Sequence, residues 1–327
     1  MAEIEGFGNV WIRGFRARRT DGCGARVRAM ATLWISRVLA MLLVLGWSSA
    51  QAKGKEEPEW KSNLTVAPPG EFPMLGPATF TYNVSWNGVL KAGQADIVFA
   101  SGRNGQIETR GTTRSAGPAR VLWPYDATVE SQVHAGRLLP VEVNQWEADR
   151  EEENVYRTVF EGAEVRSYWA TKPKKAGKPC EERERVFDQQ PVHDLISGVL
   201  YLRSFPWEKG AEPVSIVVFP FRDPYLVTAR LLGREERNHA GKKIDAMKFD
   251  LAISKIRKNG TLEPISKQMK SAHFWISDDE LRLPLEIRAE IFVGSIRVQL
   301  TKFELLKEEA VAQAVSFKGG KGGARSK

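Results

Sequence analysis

From Thr79 the chain alternates. In "TFTYNVSWNG", Phe80, Tyr82, Val84 and Trp86 are separated by Thr81, Asn83 and Ser85, which puts four large side chains on one face of a strand and polar ones on the other. Similar runs follow, divided by Gly, Asn or Asp: "QADIVFA", "ATVESQVH", "VYRTVFE", "VSIVVFPF", "MKFDLAIS", "PLEIRAEIF" and "SIRVQLTKFEL" among them. Asn-Gly in "KNGT" (258–261) is a strong hairpin signal, and "GRNG" (102–105) is a weaker one. Many strands at short intervals predict a mainly β fold and exclude a doubly wound nucleotide-binding sheet. The expectation is a large antiparallel curved sheet, or half-open barrel, with a core or cavity on one face.

One segment has a different period. In "VHDLISGVLYLRSFP", Leu195, Ile196, Val199 and Leu200 recur at helical spacing, Asp194 is placed to cap the first amides, and Pro206 lies just past the end. This predicts one short helix over 194–204, set against the concave face of the sheet. Gly198 inside it costs on the order of 1 kcal/mol relative to Ala, which burial must offset.

Leu-Pro followed by a hydrophobe, Glu and a hydrophobe occurs twice, in "GRLLPVEVNQW" (136–146) and "LRLPLEIRAEI" (281–291). Proline lacks an amide hydrogen and fits the first residue of a strand. Beyond it, alternation sends Val141 and Val143 to one face and Glu142 to the other, with Leu285, Ile287 and Glu286 in the same relation. The pattern predicts two equivalent hairpins of one sheet. It is consistent both with an ancient duplication and with ordinary strand-start preferences.

Composition places the 327 residues, 42% hydrophobic and 27% charged, among globular proteins with a sizeable core. The formal charge of +8 is concentrated early. Residues 1–52 hold seven arginines against three acids; removing them from 48 basic and 40 acidic residues leaves 41 against 37, a net of +4. That balance argues against a nucleic-acid partner. From Met30 the chain shows one arginine, an apolar run from Val38 to Trp47, and Ala50-Gln51-Ala52, the pattern of a cleavable secretory signal too short to span a bilayer. The expected organisation is a mis-assigned upstream segment (1–29), a signal peptide (30–52), a polar linker (53–72), one β-rich domain (73–305) and a disordered basic Gly/Lys tail (306–327). No transmembrane span is expected after cleavage.

Candidate chemistry is sparse. The four histidines lack metal-binding spacing, no phosphate loop or nucleophile elbow occurs, and no cofactor is expected. His193 and Asp194 form the nearest approach to a catalytic pair, although helix capping also accounts for Asp194. The acidic run Glu151 to Glu153 and the basic run Lys172, Lys174, Lys175 and Lys178 read as loop tips, the second suited to touch acidic polysaccharide or lipid headgroups. Tyr82, Trp86, Trp146, Trp169, Tyr201 and Trp275 are candidates to line a ligand cavity, with core packing as the simpler role for each.

The segments "FTYNVSWNGVLKAGQADI", "ATVESQVHAGRLLPVEV", "VHDLISGVLYLRS" and "HFWISDDELRLPLEIRAEIFVGSIRVQL" together resemble the domain of unknown function 3108, a group of exported bacterial envelope proteins. The likeness runs from about Phe72 to Phe303. It rests on a Y-x-V-x-W-x-G start, a D-x-x-S-x-x-x-Y-L-R helix and a W-I-S-D-D turn leading into L-P-hydrophobe-E. It implies a secreted, largely β protein of the Gram-negative periplasm, and it carries no established activity or catalytic residue. The "WISDDELRLPLEI" hairpin also looks like one in periplasmic half-barrel carriers of lipoproteins or lipids. The expectation is a non-enzymatic protein that binds a lipid, an amphiphile or another envelope protein in a β concavity. The alternatives are a hydrolase or transferase acting on cell wall or polysaccharide, with His193 as base, and a scaffold without ligand. The sequence does not indicate an oligomeric state.

Overall fold

The computed structural model describes residues 57–70, 76–208, 210–265 and 269–307. The expected upstream segment, signal peptide and nearly all of the tail lie outside them. The described chain is mainly β, as the alternation predicts. Strands β1 (Ala78–Trp86), β2 (Leu90–Ser101), β3 (Gln106–Ser115), β4 (Asp126–His134), β5 (Leu139–Ala148), β6 (Glu152–Glu161), β7 (Glu164–Pro173) and β8 (Glu181–Asp188) form a continuous meander. The second half contributes β9 (Val192–His193), β10 (Val214–Val218), β11 (Tyr225–His239), β12 (Lys242–Ile256), β13 (Leu262–Pro264), β14 (Met269–Ser277), β15 (Pro284–Ile291) and β16 (Gly294–Leu305). Pairing of β16 with β1 joins the halves into one sheet, ordered from β8 through β1 to β16 and on through β15, β14, β12, β11 and β10 to β9, with β13 beside β12. Every pair is antiparallel except β9 with β10. Register shifts in the β1–β16, β11–β12 and β14–β15 pairs are bulges of the kind that bend a sheet.

No backbone ladder pairs β8 with β9 among the described residues, yet the two edges of the sheet are stitched by side chains. Ser167 Oγ donates to the Phe221 carbonyl at 3.1 Å, Arg185 meets Asp223 at 2.5 Å, and Arg222 donates to the Tyr156 hydroxyl at 3.0 Å. Both free edges are protected from further pairing. β9 is only two residues long, and β8 reads "EERERVFD", with charge at five consecutive positions.

Helix α2 (Leu195–Ser204) lies against the inner face and matches the predicted segment. Asp194 accepts from the Ser197 amide at 2.6 Å while Ser197 Oγ accepts from the Asp194 amide at 3.0 Å, a reciprocal cap. Leu200, Tyr201 and Leu202 join Phe80, Phe249, Phe274 and Leu300 in the main core. Arg203, in the last turn, is buried and donates to the carbonyls of Leu281 and Arg282. Burial and the neighbouring Arg282 bring its guanidinium down to about 10. A second helix, α1 (Gly117–Leu122), was not expected. It has no buried residue and connects β3 to β4.

Residues 57–70 differ from the expected linker. Trp60 is buried and donates to the Gly260 carbonyl at 2.8 Å; Thr65 exchanges two hydrogen bonds with Ser215, and the Ala67 carbonyl accepts from Tyr201. Polar composition concealed one tryptophan anchor, and the amides of Lys61 to Leu64 just after it are satisfied within their own turn by the carbonyls of Pro58 to Lys61.

The two Leu-Pro hairpins are built alike. Pro140 pairs with Val133 and Pro284 with Ile276; the next residue, Val141 or Leu285, is the extra one of a bulge; and Glu142 and Glu286 then pair with Gln132 and Trp275. Two residues before each proline stands a non-glycine residue in the left-handed region, Leu138 (φ 49°) and Arg282 (φ 47°). The shared spelling therefore encodes a turn, a strand start and a bulge at fixed spacing.

Candidate functional site

Alternation along β1, β2, β14 and β16 sends Phe80, Ile97, Phe99, Phe274 and Val298 to the inner face, where Ile196 and Val199 of α2 meet them. The fit is incomplete. An apolar cavity of about 150 Å³ remains between the helix and these strands. Ile287 lines it while 39% exposed, so the cavity opens toward solvent beside β15. Arg203 and Glu286 are the charged residues in its wall, and both have their charged groups engaged elsewhere.

Of the sequence candidates for a cavity lining, Tyr82 is the one that lines this space; its hydroxyl donates to the Pro284 carbonyl at 3.0 Å, and burial raises the phenol pKa. Trp86 lies further along β1, half-buried and paired with Ile296. Tyr201 is a core residue of α2. Trp146 donates to Glu153 at 2.5 Å, and Trp169 lies 5.9 Å from the Arg222 guanidinium near the seam between the sheet ends. Trp275 follows Phe274 and therefore faces the other side of β14, where Arg237 sits 4.6 Å from its ring. The cavity-lining residues that the sequence reading did not single out, such as Phe99 and Ile97, sit on a strand whose alternation was visible. What was missing was which inner positions α2 leaves uncovered.

His193 and Asp194 are both buried, and neither lines the cavity. Asp194 is fully occupied: Oδ1 holds the Ser197 amide and Oδ2 accepts from Ser131 on β4. Burial raises its pKa against the effect of these bonds. His193 stands 4.8 Å from the Tyr201 ring; burial lowers its pKa to about 4, partly opposed by a bond to the Leu138 backbone. Among the described residues no group of three or more His, Cys, Asp or Glu is arranged to hold a metal ion.

The depressed His193 pKa makes a prediction. Below the ordinary value of 6.5 the unfolded chain takes up a proton that the folded chain refuses until about pH 4, so stability falls as pH drops through that window. Between pH 7 and 5 this histidine removes about 2 kcal/mol. Asp194 works in the opposite direction, because a carboxyl whose pKa is raised by folding favours the folded state as pH falls. Urea titrations of wild type and His193→Leu at both pH values isolate the histidine as the difference between their two slopes. Parallel slopes would show that the ring is not held neutral.

A family model for proteins of unknown function, DUF3108, matches residues 81–301. Among solved structures, a β-barrel-like protein of domain of unknown function DUF1849 from Brucella abortus is 12% identical, with 72% of this chain and all of that one covered at a TM-score of 0.47. A putative lipoprotein from Parabacteroides distasonis is 7% identical, with 73% of this chain and all of that one covered at a TM-score of 0.31. No curated protein matches the chain.

Proposed function

We propose, from the premise that the chain belongs to the DUF3108 family of proteins of unknown function, that it is a non-enzymatic envelope protein holding the apolar end of a lipid or other amphiphile beneath α2. The observation that carries this reading is the cavity between α2 and the inner face. A space of about 150 Å³ walled mainly by Ile, Val and Phe is large enough for a guest the size of an aromatic ring. That volume suits the end of an acyl chain or a ring, with the rest of the molecule outside past Ile287. Filling it recovers dispersion contacts that the wall residues otherwise lack.

Export to the periplasm belongs to the same proposal. It is supported by the basic, apolar, A-x-A pattern of residues 30–52. Among the described residues no helix is long and apolar enough to cross a membrane.

The test is extraction and mass spectrometry of small molecules from the full chain purified from an envelope-containing host, beside Val199→Phe, which fills the cavity from the helix side. Wild type is expected to carry an apolar compound at near-stoichiometric level and the variant to lose it while keeping its β circular-dichroism spectrum. Equal ligand content in both proteins would remove the cavity from the proposal, and empty wild-type protein that also fails to take up an added fatty acid would end it.

A further inference from the structure

The two ends of the sheet differ sharply. At one end lie the turns 102–105, 135–138, 162–163, 240–241 and 278–282, where Leu281 and, at the end of β16, Leu305 are the large hydrophobes exposed among the described residues. At the other end, three neighbouring connections expose seven. The β1–β2 turn shows Val89 and Leu90, α1 and its exit show Val121, Leu122 and Trp123, and the β15–β16 turn shows Phe292 and Val293. Val89, Val121, Leu122 and Phe292 are between 75% and 90% exposed.

These three connections are held together as one rim. The Asn87 amide donates to the Ser295 carbonyl at 2.8 Å, and Asn87 Oδ1 accepts from the Ser295 amide at 2.7 Å, which joins the β1–β2 and β15–β16 turns. The Ala116 amide donates to the Ala92 carbonyl at 2.8 Å, which fixes the start of α1 beside β2. Arg150, in the β5–β6 turn, donates to the Val121 carbonyl at 2.7 Å, and the β7–β8 turn attaches there through the Lys174 amide and the Glu151 carbonyl at 2.8 Å. The charged residues of this arc are Lys91, Arg114, Arg120, Arg150, Lys174, Lys175 and Lys178 against Asp126, Asp149, Glu151, Glu152 and Glu181, with Arg114 and Arg120 paired to Asp126. Lys270 adds a further cation, 5.7 Å from the centre of the Phe292 ring.

We infer that this rim docks on the surface of an anionic phospholipid bilayer, with Val89, Leu122, Trp123 and Phe292 entering the headgroup–acyl boundary and the surrounding lysines and arginines meeting lipid phosphates. Scattered exposed hydrophobes are ordinary on a protein surface, but a group of them on neighbouring turns marks an interaction site; of these seven, Trp123 is the one that also stacks on a neighbour, Tyr125, at 4.9 Å. The sign of the flanking charge selects the partner: apolar insertion and attraction to anionic headgroups add, while a single aliphatic tip alone binds weakly. This inference does not depend on the cavity being occupied.

Hydrogen exchange of the full chain, with and without vesicles of phosphatidylethanolamine and phosphatidylglycerol, tests it at residue level. Amides at 88–91, 119–123 and 292–294 are expected to slow on these vesicles, less so on phosphatidylcholine, and to lose the effect in the triple variant Val89→Ser, Leu122→Ser, Phe292→Ser, whose vesicle partition should fall at least about tenfold. Vesicle association that leaves these amides unprotected, and is therefore carried by another part of the chain, overturns the inference. Equal protection on both lipid compositions overturns the anionic assignment. Protection that is present without vesicles and grows with protein concentration would assign the rim to self-association instead.

Discussion

Glu286→Ala is expected to lower the free energy of unfolding by about 3–5 kcal/mol, read as a fall in the urea midpoint at unchanged slope. The Glu286 side chain is 2% exposed and accepts from three guanidiniums, those of Arg237, Arg288 at 3.0 Å and Arg297 at 2.8 Å. Arg237 and Arg288 also lie within 5.4 Å of the Trp275 ring, whose indole nitrogen donates to Glu235 at 2.7 Å. Removing the one central carboxylate leaves three partly buried cations facing each other across an apolar ring, with Glu235 as the nearby counter-charge. Glu142 occupies the same place in the other Leu-Pro hairpin, but it is 28% exposed and pairs with an Arg157 that is 59% exposed. Its replacement by Ala is expected to cost less than about 1 kcal/mol. Two substitutions of the same residue in the same local spelling thus differ several-fold. A similar cost for both would show that the guanidinium cluster is screened like an ordinary surface pair.

Phe80→Ala is expected to destabilise the fold by about 3–5 kcal/mol. Phe80 is 2% exposed, packs edge-on against Phe99 at 5.3 Å and against Phe303 at 5.0 Å, and forms part of the wall of the apolar cavity. Truncation therefore enlarges a space that already exists, and the strands on either side of β1 restrict collapse around it. The same variant has a second readout: an apolar guest should restore part of the lost stability, by mass action on the enlarged cavity. Thermal melts with and without a small aromatic hydrocarbon measure both. A loss below about 1 kcal/mol would mean that the ring is not a central packing element, and the absence of any rescue would count against the cavity as a binding space.

The β architecture was legible because a period of two is written locally: Phe80, Tyr82, Val84 and Trp86 announce an inner face without knowledge of any neighbour. Helix α2 was equally legible, since its cap, its apolar spacing and its terminator are adjacent in the chain. The repeated Leu-Pro segment correctly predicted equivalent hairpins, but not the bulge at Val141 and Leu285, which alternation alone skips. Less could be read where the deciding partner is distant. Trp60 looked like part of a polar linker because its acceptor, Gly260, is 200 residues away. Trp275 looked like a cavity residue because nothing local says which side of β14 carries arginines. The cavity itself is a shortfall in packing between α2 and five strands, a quantity that belongs to no single segment. Tyr82 stands in its wall because it projects from the inner face of β1.

In a barrel closed by backbone hydrogen bonds, strand number and stagger fix the bore, so its interior can be resized only by changing the ladder itself. Here the circumference ends in a row of serine, arginine, tyrosine and aspartate contacts. Their reach sets the girth, and exchanging a few of those side chains is enough to widen or tighten the enclosure while every strand keeps its pairing.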